Sequence, residues 1–182
     1  MSLSNTTSRW GAFNKLMHWG LFLVLAGVFI TVNMAIDLER GDPTKGFLMM
    51  LHKSFAVTAL LLMVIWRIKR AFSPRPFAYG AIWQVRLAQV THWAMILFVL
   101  MIPVGGFLMS QFFGSPLVIF NVVTVPQLLP INEEIGGAIM SVHRIAGPFL
   151  FFIILVHIAG ALWHHFIDKD DTLKRMLPGS GK

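Results

Sequence analysis

The sequence predicts an all-α integral membrane protein, a bundle of four transmembrane helices in a single domain. Three observations carry that prediction. Hydrophobic residues fill 56% of the 182 positions and charged residues only 13%, where a soluble domain carries about 25% charge. Mean hydropathy is +0.70. The apolar residues gather in four runs of about 20, the length a helix needs to cross ~30 Å of hydrocarbon.

The first run is Leu16 to Ile36, with Arg9 and Lys15 ahead of it. A signal peptide has that outline, but this run exceeds a typical h-region, lacks a following A-x-A site and contains His18. The second is Phe47 to Trp66, the third Val90 to Met109, the fourth Ile145 to Ile167. Helices are the expected form, because each backbone polar group must be satisfied within its own segment. Trp10, Trp19, Trp66, Trp93 and Trp163 sit near the segment ends, as interface anchors do. A fifth apolar stretch, Phe112 to Leu129, is broken by Gly114, Pro116, Asn121 and Pro126, with Pro130 just beyond. Backbone that irregular is poorly suited to facing lipid. It belongs to a long outer loop, residues 110–138, covering one end of the bundle.

The net charge of +7 and pI near 10.4 do not indicate a nucleic-acid binder. The basic residues flank the apolar runs, the pattern of membrane-flanking positive charge. Arg67, Lys69, Arg70, Arg75 and Arg86 lie between the second and third spans. Arg9, Lys15, Lys169, Lys174, Arg175 and Lys182 lie in the terminal regions. Only Arg40, Lys45, Lys53 and Arg144 lie on the other side, diluted by Asp37, Glu39, Asp42, Glu133 and Glu134. Eleven against four puts both termini in the cytoplasm of a multi-pass inner-membrane protein. The absence of cysteine excludes disulfides, thiolate metal sites, Fe–S clusters and covalent c-type haem.

Seven histidines remain, and ionisable residues within a membrane are functional candidates by default. His18 lies toward the cytoplasmic end of the first span and His52 toward the outer end of the second. His92 begins the third. On the fourth, His143 is outer, while His157, His164 and His165 approach the cytoplasm. His143 and His157 are 14 residues apart. They therefore share a helix face to within ~40° and are separated by ~21 Å along the axis. That spacing suits two ligand sites at different depths. By depth His52 pairs with His143, and His18 with His157. A competing inner pairing sets His164 opposite His18, since His164 shares the face of His157 within ~20°. Zinc needs four ligands, or three and a water, and neither pair has a third protein ligand. Haem supplies four equatorial nitrogens and needs only axial ligands, so two non-covalent b haems fit, with the four histidines as iron ligands. Gly147 and Gly160 lie within a turn of His143 and His157, where they admit either a flat macrocycle or a close-packed neighbouring helix. His165 has the setting of an ordinary interfacial histidine.

These residues together resemble the bacterial cytochrome b561 family. The likeness is carried by Lys15-Leu16-Met17-His18-Trp19, by His52 with Trp66-Arg67, and by His92 ahead of Ile102-Pro103-Val104-Gly105. It is strongest in His143, His157-Ile158-Ala159-Gly160-Ala161-Leu162-Trp163-His164-His165 and Lys169-Asp170-Asp171-Thr172-Leu173-Lys174-Arg175-Met176-Leu177-Pro178. The resemblance implies a four-helix bundle holding two b haems on His18, His52, His143 and His157, and electron transfer across the inner membrane. One branch resembles superoxide oxidase, which passes electrons from superoxide to ubiquinone. Others serve as conduit subunits for a periplasmic dehydrogenase or hydrogenase, and the outer loop, where the likeness is least, would meet such a donor. For the first activity, His92 and His164 are the candidate quinone-site residues at the cytoplasmic end. Lys45, Lys53 and Arg144 are candidate attractors for the superoxide anion. Arg67 and Arg86 lie at the depth of the quinone end, where positive-inside anchoring also accounts for them.

Overall fold

A computed structural model describes residues 3–179. Four long helices dominate it: α1 (Ala12–Ile36), α2 (Pro43–Ala71), α3 (Ile82–Phe112) and α4 (Glu133–Phe166). All four are long and apolar enough to cross a membrane. The helices outrun the predicted spans, most of all α3, which begins at Ile82 rather than Val90, and α4, which begins at Glu133 rather than Ile145. Hydropathy marks only the part of a helix that hydrocarbon demands; capping decides where the helix begins. Asn132 accepts the Ile135 N–H at 3.1 Å, and Asp42 accepts the Thr44 N–H at 2.7 Å ahead of Pro43. Such caps satisfy donors that the helix itself cannot.

The main helix contacts join α1 to α2 and α3 to α4, with a lesser seam between α2 and α3. A buried layer draws on all four helices: Leu21, Ala59, Met63, Val99 and Leu150. Phe29 meets Phe151 across α1 and α4, with ring centres 5.2 Å apart.

The outer loop is more ordered than predicted. It shortens to residues 113–132 and contains an antiparallel hairpin, β1 (Leu117–Ile119) and β2 (Val123–Val125), with Val118 opposite Thr124. The turn places Phe120 and Asn121 at φ 47° and 57°, a region few non-glycine residues occupy. Two contacts hold it there. The Phe120 N–H donates to Ser54 Oγ at 2.9 Å, and the Phe120 ring stacks edge-on against Phe55 at 5.6 Å. The hairpin tip is thereby fixed to α2 beside His52.

At the opposite end the N-terminal segment, the α2–α3 loop and the C-terminal tail interlock. Trp19 Nε1 donates to the Met176 carbonyl at 2.8 Å and Lys15 Nζ to the Leu177 carbonyl at 3.1 Å. Arg175 donates to the Phe77 carbonyl and lies over the Tyr79 ring at 4.6 Å. The tail is thus bound back onto the helix ends.

Candidate functional site

The histidines project from three helices onto one side of α4. His52 of α2 faces His143, with ring centres 6.4 Å apart, and His18 of α1 faces His157 at 6.1 Å. A metal–imidazole bond is about 2.0 Å long, so one iron shared axially by two imidazoles sets their ring centres about 6 Å apart. Both pairs have that separation. The apolar layer of Leu21, Met63, Val99 and Leu150 lies in the core between them.

The surroundings leave ring nitrogens available. His52 Nδ1 donates to the Val28 carbonyl at 3.0 Å. A carbonyl can only accept, so this contact places the proton on Nδ1 and leaves the Nε2 lone pair for a metal, as partners of ligating histidines commonly do. Nδ1 of His18 and Nδ1 of His143 are buried and complete no hydrogen bond. His18 is flanked edge-on by Trp19 at 5.3 Å and Trp66 at 6.3 Å. Trp66 is held by Asn14, which accepts its indole N–H at 2.8 Å, and Asn14 donates in turn to Asn5. A Cβ at Gly106 would lie 3.2 Å from the His143 ring, so that glycine sets how closely α3 approaches the ligand position. At Gly147 and Gly160 a Cβ would meet no protein atom within 4 Å. Neither glycine is in close contact with a neighbouring helix. Nitrogen donors in opposed pairs, without a carboxylate among them, fit a haem, and among the described residues these histidines do not bring together the three ligand atoms that zinc needs.

The profile of the prokaryotic cytochrome b561 family matches residues 9–179. The chain belongs to that family. Its members are four-helix membrane cytochromes that bind haem b and transfer electrons, so this chain is a multi-pass membrane protein of that kind. It is 31% identical to cytochrome b561 homolog 2 of Escherichia coli strain K12, over 97% of this chain and 95% of the relative. It is 26% identical to cytochrome b561 homolog 1 of the same organism, over 89% and 93%. It is 28% identical to the probable superoxide oxidase CybB of Yersinia pestis, over 89% and 92%.

The remaining histidines of this cytochrome fall where spacing alone did not put them. His92 is exposed at the bundle's rim, and its ring centre is 5.0 Å from that of His157. It belongs to the inner histidine cluster rather than standing apart at the helix end. His164 does not face His18, whose ring partners are Trp19, Trp66 and His157. It is turned instead to Asp170 and Asp168. His165 packs edge-on against Phe166 at 4.8 Å. On the hairpin side, Lys53 Nζ donates to Ser115 Oγ at 3.2 Å and Lys45 Nζ to the Leu38 carbonyl at 2.7 Å. Neither has a carboxylate partner among the described residues.

Proposed function

We propose that this cytochrome holds two b haems, oxidises superoxide at the hairpin end and reduces ubiquinone at the end carrying the termini. The observation that carries the reading is the pair of opposed histidine couples at the ring separation axial ligation requires. His18 and His157 would hold one haem, His52 and His143 the other. When bound, the haems supply one-electron redox centres at two depths of the bundle.

The chain's own residues set the rest. The Val28 carbonyl orients His52 toward His143. Lys53, adjacent in sequence to His52, carries a positive charge opposed only by a neutral hydroxyl, which favours an anionic substrate there. The hairpin lies over that end, fixed by Ser54. At the other end His92 lies beside His157 and His164 about two helical turns further along α4, where a lipid-soluble quinone can reach imidazole donors. The stoichiometry balances: two superoxide ions give two electrons and leave as two molecules of oxygen, and one quinone takes two electrons and two protons. The family membership and the likeness to a probable superoxide oxidase support this reading.

The test is turnover by the purified holoprotein. Generated superoxide should reduce a soluble ubiquinone analogue, with about two acid-extractable haems per chain. One haem, or haem that resists extraction, refutes the pairing. Haem without turnover favours the second reading, a conduit subunit fed by a periplasmic dehydrogenase or hydrogenase. The exposed apolar hairpin, with Val122 at 83% exposure, is the surface such a partner would meet.

A further inference from the structure

His164 closes α4 beside two carboxylates of the tail. Its Nδ1 lies 2.6 Å from Asp170 Oδ2 and 3.4 Å from Asp168 Oδ2. The backbone is bent to bring them there. The Asp170 N–H donates to the His164 carbonyl at 3.0 Å. Lys169, between the two acids, takes φ 55°, a left-handed conformation that is unfavourable for a non-glycine residue.

Asp170 is itself locked, its Oδ1 accepting the Thr172 N–H at 2.8 Å. Asp168 Oδ2 accepts from Gln84 Nε2 at 2.8 Å, and Gln84 Oε1 accepts the Ala81 N–H at 2.6 Å. The ring carbon between the two nitrogens is bounded by glycine. A Cβ at Gly80, whose φ is 99°, would sit 2.9 Å from His164 Cε1. The charged groups in contact with His164 among the described residues are the two tail carboxylates. The α2–α3 loop presents Gly80, and α3 presents the neutral Gln84.

We infer that Asp170 is a positioning residue: it holds the Nδ1–H of His164 so that Nε2 is turned free to deliver protons to the quinone. The inference rests on the quinone reading above and names the group that makes His164 competent for it. Each proton leaves Nε2 for a quinone oxygen while the electrons arrive from superoxide. The Nδ1–H stays on the ring, hydrogen-bonded to the Asp170 carboxylate, and a proton from solvent replaces the one that leaves Nε2. An Asp170 held ionised serves this best, and its carboxyl does lie below its usual range. Burial pushes that carboxyl up, but hydrogen bonds from Thr172 and His164 and the nearby imidazole outweigh it. The arrangement is the carboxylate–imidazole pairing that fixes a tautomer.

The experiment compares Asp170→Asn, Asp170→Ala and His164→Ala with the unmodified holoprotein. Asparagine keeps the acceptor and removes the charge; alanine removes both. Haem content and spectra serve as the fold check, and the near-isosteric asparagine variant decides if alanine loses haem. Reduced haem is reoxidised by a soluble ubiquinone analogue across a pH series. Separately, without quinone, the His164 ring is titrated by NMR in histidine-labelled protein. Removing the negative charge makes the imidazole harder to protonate. Asp170→Asn should therefore move the alkaline fall in rate, and the ring's titration midpoint, to lower pH. Asp170→Ala should also slow reoxidation about tenfold at every pH. If His164→Ala slows reoxidation but neither Asp170 variant moves the profile or the ring titration, the role of Asp170 is overturned and the quinone reading stands. If His164→Ala leaves reoxidation unchanged with both haems present, both fall together.

Discussion

Four histidines meet across three helices because the helical repeat puts residues 14 apart on one face of α4. His143 and His157 then look toward α2 and α1, where His52 and His18 stand at matching heights. Each couple predicts its own phenotype. His52→Ala and His143→Ala should disturb one haem, and His18→Ala and His157→Ala the other. Each should convert a low-spin six-coordinate iron to high spin or lose that haem. Low-temperature spectra resolve the two sites, and a common target for His52→Ala and His157→Ala would end the scheme. These couples were legible in the sequence because one arithmetic rule, applied along a straight helix, fixes direction and depth. The contacts of His92 and His164 were not. The proximity of His92 to His157 depends on how α3 leans on α4, a tertiary quantity. The turn of His164 toward Asp170 depends on the left-handed Lys169, which periodicity does not encode. The spacing of His164 to Asp168, four residues on a helix end, was the available signal.

At the scale of elements, the hairpin departs furthest from the sequence-based expectation. Its strands are three residues each, too short for an alternating pattern to register, and three prolines in and beside the stretch argue for irregular backbone. What orders it is a side chain that hydropathy ignores. Gln111, 1% exposed at the end of α3, accepts the Leu128 N–H on Oε1 at 2.6 Å and donates from Nε2 to the Pro126 carbonyl at 3.2 Å. Its own carbonyl accepts from Gln127. One residue therefore satisfies backbone groups on the returning arm that the short ladder leaves unpaired. Gln111→Ala should remove two part-buried hydrogen bonds to the returning arm and cost about 1 kcal/mol for each. The expected result is selective: limited proteolysis should open the 113–132 segment while the haem spectra hold. Protection equal to the parent's would show that the ladder and the Ser54 contact suffice.

The whole molecule is polarised along its axis, and the polarity predicts its orientation. With four crossing helices both ends of the chain emerge on one side, and there the tail is bound to α1 through Trp19 and Lys15. That end also carries the α2–α3 loop and ten of the fourteen Lys and Arg residues among the described residues. The hairpin end carries four. Short basic loops are retained in the cytoplasm, so the tail should be inside and the hairpin outside. Superoxide would then be met on the periplasmic side and protons for quinone drawn from the cytoplasm. The chain lacks cysteine, which makes the experiment clean, because one introduced thiol is the only one labelled. Val122→Cys, at the exposed hairpin turn, should react with a membrane-impermeant maleimide in intact spheroplasts. Lys174→Cys, 55% exposed on the tail, should react only after the membrane is opened. The reverse pattern would invert the molecule. It would also exchange the two faces of the proposed reaction, leaving the histidine couples in place but drawing protons for the quinone from the periplasm.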